Sequence, residues 1–94
     1  MTNLFPFLAF KNRDRVTIIA DILKSVSENG KGKRKTNIMQ SANLNYPLVN
    51  KYLELLMRNG YVVLDDGRMY KPTSKGLKFL QNLETDVLKL AYRT

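Results

Sequence analysis

The spacing of apolar residues divides this chain into helical and extended stretches. Between residues 14 and 29 they recur every three or four positions, which predicts an amphipathic helix that ends at Gly30. Residues 73–92 show the same period, so the pattern predicts a last helix capped by Thr73 or Ser74. The first helix is expected to bury Val16, Ile19, Leu23 and Val26, with Ile18 and Ile22 widening the stripe.

The stretch from 36 to 60 predicts two helices joined by a tight break. Thr36 is expected to cap the first helix, and the break falls at Asn43-Leu44. Asn45 is a good cap for the second helix, and Gly60 supplies the left-handed residue that ends it. This is the skeleton of a helix-turn-helix. Its second helix is expected to bury Val49, Tyr52, Leu53 and Leu56.

After Gly60 the pattern becomes extended. Two short apolar runs, 61–64 and 69–71, flank the turn-forming sequence 65–68, which predicts a β-hairpin. A hairpin directly after the second helix is the wing of a winged helix. We therefore predict an α+β fold, mainly α: a winged helix-turn-helix with a C-terminal coiled-coil-like helix. The expected division is an apolar arm at 1–12, a winged-helix domain at 13–72 and a dimerisation helix at 73–94.

The charge balance changes the functional picture. Sixteen Lys and Arg against eight Asp and Glu give a net charge of +8, which favours a polyanionic partner, most often nucleic acid, over simple solubility. The chain has neither His nor Cys, so the commonest bases, nucleophiles and metal ligands are missing. We expect no enzyme activity, cofactor, metal or small-molecule ligand. No apolar run approaches the roughly 18 residues of a membrane span, and a cytoplasmic, nucleoid-associated location is expected.

Candidate DNA contacts fall in three places. A basic loop, interpreted as flexible, precedes the helix-turn-helix, and its alternative role is that of a solvated linker. The exposed face of the second helix offers possible base readers, although Tyr46 is equally suited to the core. The wing adds two cations, but Asp65 and Asp66 at its turn repel phosphate and count against DNA contact there. The residues are Lys31, Lys33, Arg34 and Lys35 in the loop, Asn45, Tyr46, Asn50 and Lys51 on the helix, and Arg68 and Lys71 in the wing.

The last helix carries a seam typical of coiled coils. Leu80, Leu83, Val87 and Leu90 alternate at three- and four-residue spacing. Such a helix either folds back on the domain or pairs with a copy of itself, and its broad apolar stripe allows both; we expect a homodimer. The arm, with Phe5 and Phe7, is expected to extend that interface. Alternatively it packs on its own domain, or serves as a docking peptide for another protein or a membrane surface.

Four short strings of this sequence form a characteristic set: Lys35-Thr36-Asn37-Ile38-Met39, Ala42-Asn43-Leu44-Asn45-Tyr46, Lys51-Tyr52-Leu53 with Leu56 and Gly60, and Tyr70 with Thr73-Ser74-Lys75-Gly76 and Phe79-Leu80. They resemble the small basic winged-helix DNA-binding proteins of archaea known as the 10a type, and the likeness covers about residues 13–83. It implies duplex-DNA binding as a dimer joined by C-terminal helices, and some such proteins are counted as chromatin proteins. This sequence departs from the family at Gln40, where an aromatic residue is usual, and at Asn50-Lys51, which is often a basic pair. Its last helix is also shorter, and its arm is apolar.

Two functional hypotheses follow. The first is a dimeric double-stranded DNA-binding protein, chromatin-associated or transcription-regulating, with modest sequence selectivity. The second is a winged-helix protein-interaction module that docks on a larger assembly. The basic loop favours the first, whereas Leu48 and Glu54 on the presumed reading face favour the second.

Overall fold

The computed structural model describes the backbone of residues 14–91 and the side chains of residues 14–85. This part of the chain forms four helices and one two-stranded antiparallel sheet, the mainly helical winged helix-turn-helix that the sequence predicts. In chain order the elements are α1 (Arg15–Val26), α2 (Lys35–Ala42), α3 (Tyr46–Arg58), β1 (Val62–Leu64), β2 (Tyr70–Pro72) and α4 (Ser74–Ala91).

Helix α1 is shorter than its sequence pattern suggests. Asp14 caps it by accepting the Thr17 N–H at 2.9 Å. It ends at Val26 because Ser27 bonds back to the carbonyls of the last turn through both its N–H and its hydroxyl. The prediction that Gly30 ends the helix is therefore wrong. The predicted stripe is also wrong at Val16, which is 53% exposed because it lines a groove between α1 and α4 rather than the core.

The two helices of the helix-turn-helix end in the same way. After α2, Asn43 takes a left-handed conformation (φ 58°), and the Leu44 N–H bonds to the Met39 carbonyl at 2.9 Å. After α3, Gly60 (φ 78°) does the same, and the Tyr61 N–H bonds to the Leu56 carbonyl at 2.8 Å. Both are Schellman-type endings, in which a left-handed residue lets two N–H groups satisfy otherwise orphan carbonyls.

The starts of these helices differ from each other. Asn45 caps α3, as predicted, by accepting the Leu48 N–H at 2.9 Å. The predicted cap of α2 is wrong: the helix already begins at Lys35, and Thr36 lies exposed in its first turn. Arg34 occupies the cap position of α2 without a side-chain cap bond.

The core lies where α1, α2, α3 and the base of the hairpin meet. The predicted stripe of α3 is confirmed as buried, and a hydrogen bond between the Ser25 and Ser41 hydroxyls joins α1 to α2. The largest fully buried side chains are Ile22, Leu23, Val26, Ile38, Val49, Leu53, Leu56 and Val62.

The segment between α1 and α2 belongs to the sheet region. Lys33 forms an antiparallel bridge with Tyr70: its N–H donates to the Tyr70 carbonyl at 2.9 Å, and its carbonyl accepts the Tyr70 N–H at 2.7 Å. Gly32 is buried with φ 87°, and a Cβ there would lie 2.6 Å from the Tyr70 carbonyl oxygen. The interpretation of residues 30–35 as a flexible loop is therefore wrong at Gly32 and Lys33, because backbone pairing holds both.

The hairpin pairs Val62 with Pro72, Val63 with Lys71 and Leu64 with Tyr70. Asp65 closes its connection by accepting the N–H groups of Gly67 and Met69, each at 2.9 Å. The left-handed residue of the turn is Arg68 (φ 65°), not the neighbouring glycine. The Asp65 N–H also donates to the Met69 carbonyl at 3.0 Å, so three residues, 66–68, lie between this last bonded pair. A three-residue loop of this kind needs a left-handed residue at its last position, which here is Arg68.

The start of α4 is attached to the end of α3. Thr73, one of the two predicted caps, accepts the Gly76 N–H at 3.0 Å, and its own hydroxyl donates to the Gly60 carbonyl at 2.6 Å. The Lys75 ammonium donates to the Asn59 carbonyl at 3.0 Å. Gly76 leaves room for this junction, since a Cβ there would lie 2.1 Å from the Tyr61 carbonyl oxygen.

Among the described residues no helix is both long enough and apolar enough to span a membrane.

Candidate nucleic-acid interface

The first turns of α3 present an exposed polar face. Tyr46 is 56% exposed, which rules out the core role that its sequence position also allowed. Lys51 and Glu54 are exposed and Asn50 is half-buried, so the predicted outward face of α3 is confirmed, while binding through it stays a prediction. Leu48, also on this face, is 36% exposed and adds an apolar element to it.

Lys35, Tyr46 and Asn50 form one cluster at the start of α3. The Lys35 ammonium lies 5.3 Å from the centroid of the Tyr46 ring, an attractive cation–π distance. A hydrogen bond from the Asn50 side chain, and secondarily the positive charge of Lys35, hold the pKa of Tyr46 below its ordinary value. Lys35 begins α2 and Tyr46 begins α3, so the turn of the motif brings them together. We call this group the Lys35–Tyr46–Asn50 cluster.

The basic segment before α2 contains one cation in an ion pair and two exposed cations. Lys33 forms an ion pair with Glu28, and only 15% of its side chain is exposed. Lys31 and Arg34 are both exposed, on either side of it. The backbone bridge at Lys33 thus fixes the point from which these two cations project.

In the wing, Asp65 forms its hydrogen bonds and its ion pair within the hairpin. The pKa of the Asp65 carboxyl lies below its ordinary value, mainly because the carboxylate accepts the Met69 N–H. Partial desolvation raises this pKa, whereas the Gly67 N–H and Lys71 lower it further. The Lys71 ammonium lies 3.4 Å from the Asp65 carboxylate. Lys71 is therefore engaged in an ion pair and half-buried, and Arg68 is left as the exposed cation of the pair predicted there. Exposed Asp66 beside it remains unfavourable for phosphate contact.

Two cations that sequence analysis missed lie next to Lys51. Arg15 at the start of α1 and Arg58 at the end of α3 line a depression of about 230 Å³ together with Lys51 and Glu54. Arg58 pairs with Glu54 at 3.3 Å, an exposed contact that contributes little to stability. Arg58 follows Lys51 by seven residues, so helical spacing would have revealed it, whereas Arg15 comes from a distant part of the sequence.

The residues predicted for a dimer interface have different positions. Leu80 is 8% exposed and belongs to the core of the single chain, whereas half-buried Leu83 lines the groove between α1 and α4. Val87 and Leu90 lie within α4, but their side chains are outside the described residues, as are Phe5 and Phe7. Dimerisation and the coiled coil stay predictions.

Comparison with known proteins agrees with this architecture. A family model described as winged helix-turn-helix matches residues 12–89. The uncharacterized protein MJ0290 of Methanocaldococcus jannaschii is 38% identical over 80 residues, which cover 85% of this chain and 36% of that protein. The chain thus spans about a third of the length of this curated relative.

Proposed function

The chain belongs to the winged helix-turn-helix family, and from that premise we propose that it binds double-stranded DNA as a homodimer, with the start of α3 in the major groove. Winged helix-turn-helix domains generally bind DNA, and their second helix reads base edges with its N-terminal residues. The observation that carries the proposal is the concentration of cations around the start of α3. The Lys35 ammonium lies over the ring of exposed Tyr46, exposed Arg34 directly precedes Lys35, and exposed Lys51 lies in the second turn of α3, on a chain with a net charge of +8.

The proposed contacts are mainly with phosphates. Arg34 and Lys31 project from the segment before α2, Lys51 from α3, and Arg15 extends the same charge onto α1. Such contacts position a protein on the duplex without reading its sequence. The Lys35–Tyr46–Asn50 cluster is the proposed place of base contact, and the bond between Asn50 and Tyr46 competes with a bidentate Asn50–adenine pair. Selectivity should therefore be modest.

The proposed biological role is chromatin-associated or transcription-regulating, in the nucleoid. It draws on the archaeal relative, the basic charge and the resemblance to the 10a type. A homodimer would carry two reading helices and double the phosphate contacts. The proposed dimer seam consists of Val87 and Leu90, because Leu80 is already used in the core and Leu83 lines the groove between α1 and α4.

A salt titration of DNA affinity with two matched double variants tests the proposal. Arg34→Ala with Lys51→Ala removes two exposed cations that form no ion pair within the described part of the chain. Lys33→Ala with Lys71→Ala removes two cations that are paired with Glu28 and Asp65. Both variants lose the same net charge. The first should flatten the slope of log K against log [salt] by about 1.8, or about 0.9 for each lost phosphate contact, and the second should hardly change it.

Equal slopes in the two variants would show that net charge, not this surface, governs binding. Absence of binding to mixed-sequence duplex at low salt would remove the proposal altogether and favour the second candidate.

That second candidate is a protein-interaction module, and exposed apolar side chains favour it. Val63 and Leu64 on β1 are 48% and 45% exposed, and Leu48 stands on the proposed reading face. The longer relative is consistent with a domain that works within a larger protein.

A further inference from the structure

A groove lies between α1 and α4. It has a volume of about 480 Å³ and is lined by Val16, Thr17, Ala20, Asp21, Lys24, Leu83 and Glu84. Its wall is largely apolar, and Val16 within it is 53% exposed. Lys24 and Glu84 form an ion pair at 3.7 Å that joins the two helices at this groove. The groove thus exposes an apolar surface that the α1 sequence pattern assigned to the interior.

We propose that residues 4–10 of the same chain, the segment Leu-Phe-Pro-Phe-Leu-Ala-Phe, occupy this groove. The segment contains three phenylalanines and two leucines, and residues 1–10 carry no charged side chain. Such a segment gains free energy from any apolar surface it can reach, and the lining of the groove begins at Val16, six residues after Phe10.

The connection makes the contact geometrically easy. Three residues, 11–13, join the segment to Asp14, the cap of α1, and Val16 lies two residues further on. Lys24, at the far end of the groove lining, follows Asp14 by ten residues of helix, which is about 15 Å at about 1.5 Å per residue. About five extended residues span that distance, so a reversal at residues 11–13 would bring residues 4–10 back along α1. The short connection keeps the local concentration of the segment high.

The groove is too small to be a dimer interface by itself. Seven residues of the described part of the chain line it, whereas a stable protein–protein interface uses about 20–30 residues on each side. A segment of the same chain needs no such area, because it does not lose translational freedom on binding. The inference is independent of DNA binding, and it assigns the phenylalanines to the α1–α4 groove instead of the dimer interface.

Because the chain contains no cysteine, single thiols can report on the groove. Val16→Cys places a thiol within it, and Val63→Cys places one at a valine of similar exposure, 48%, on the wing. The measurement is the rate of reaction with a water-soluble maleimide, in the full chain and in the same chain with Phe5→Ser, Phe7→Ser and Phe10→Ser. Loss of the phenylalanines should speed the Val16→Cys reaction about tenfold, as expected for a cover that is closed about nine-tenths of the time. The Val63→Cys rate should not change.

Concentration identifies the occupant. Protection by the segment of the same chain should stay constant over about a hundredfold range of protein concentration, whereas protection by a second copy should rise with it. Equal Val16→Cys rates with and without the phenylalanines, or protection that rises with concentration, would overturn the proposal.

Acceleration at both sites would mean that the triple variant has lost its fold. The deciding measurement is then mild oxidation of Phe7→Cys with Val16→Cys in the otherwise unchanged chain. An intramolecular disulfide supports the proposal, and its absence or a disulfide-linked dimer contradicts it.

Discussion

Tyr46 is an exposed side chain whose ionisation is influenced by two neighbours. It has Lys35 over its ring and a hydrogen bond from the Asn50 side chain, and both interactions stabilise its ionised form. Neither partner is adjacent in sequence: Asn50 is one helical turn away, and Lys35 lies in the preceding helix. A rigid aromatic ring at the start of a reading helix loses little conformational entropy on contact with DNA.

The titration of Tyr46 tests this arrangement. Because the Asn50 bond is the larger cause of the lowered pKa, Asn50→Ala should raise the pKa of Tyr46 toward its ordinary value, and Lys35→Ala should raise it less. Since a phenolate repels phosphate, DNA affinity of the parent should decline at a lower alkaline pH than that of Asn50→Ala. Ultraviolet absorbance titration measures the pKa, with Tyr46→Phe as the reference that removes this one phenol. An unaltered Tyr46 titration in Asn50→Ala would disprove the bond.

At the scale of elements, two backbone devices shape the motif. Left-handed residues at Asn43 and Gly60 end the two helices, and the bridge between Lys33 and Tyr70 joins the segment before α2 to the sheet. The bridge requires the chain to pass so close to β2 that Gly32 has no room for a side chain.

A pair of glycine substitutions separates this requirement from general loop effects. Gly32→Ala should lower the free energy of unfolding by about 1–3 kcal/mol, because it combines a left-handed backbone with a Cβ only 2.6 Å from the Tyr70 carbonyl oxygen. Gly30→Ala, two residues earlier and with nothing within 4 Å of its added Cβ, should change it by less than about 0.5 kcal/mol. Urea denaturation of both variants makes the comparison. Similar losses in the two would mean that the close approach at Gly32 is not significant.

At the scale of the whole molecule, the feature to explain is whether the same chain or a second copy covers the apolar side of α4. Its first half is attached to the domain through Thr73, Lys75 and a stacked Tyr61–Phe79 pair whose ring centroids are 4.8 Å apart. At about 1.5 Å per residue an 18-residue helix is about 27 Å long. The sequence seam continues through Val87 and Leu90 toward its end.

Sedimentation equilibrium decides whether that seam pairs with a second copy. Val87→Lys should place a charge in the seam and dissociate the proposed dimer, because an unpaired charge is costly to bury. Lys89→Ala, two residues further but off the seam, should leave the dimer intact. A parent chain that is monomeric at micromolar concentration would contradict the dimer.

Local signals in the sequence were sufficient to predict most of the fold. The 3.6-residue period identified the stripe of α3, Asn45 its cap, Gly60 its end and the 65–68 turn the hairpin, because each depends on neighbours within a few residues. The two errors in helix ends lie at Thr36, two residues after the observed cap Arg34, and at Gly30, four residues after the last residue of α1. Helix ends depend on which hydrogen bonds are formed, and these are the least certain part of a pattern.

Charge, too, was determined by sequence, but its distribution was decided by tertiary structure. The ten candidate contacts were chosen as residue types, and only the folded chain pairs Lys33 with Glu28 and Lys71 with Asp65 while leaving Arg34 and Lys51 exposed. Likewise the bridge at Tyr70 and the exposure of Val16 depend on segments far apart in the chain. Periodicity indicates which face of a helix is apolar, but contacts between distant elements decide how much of that face is covered.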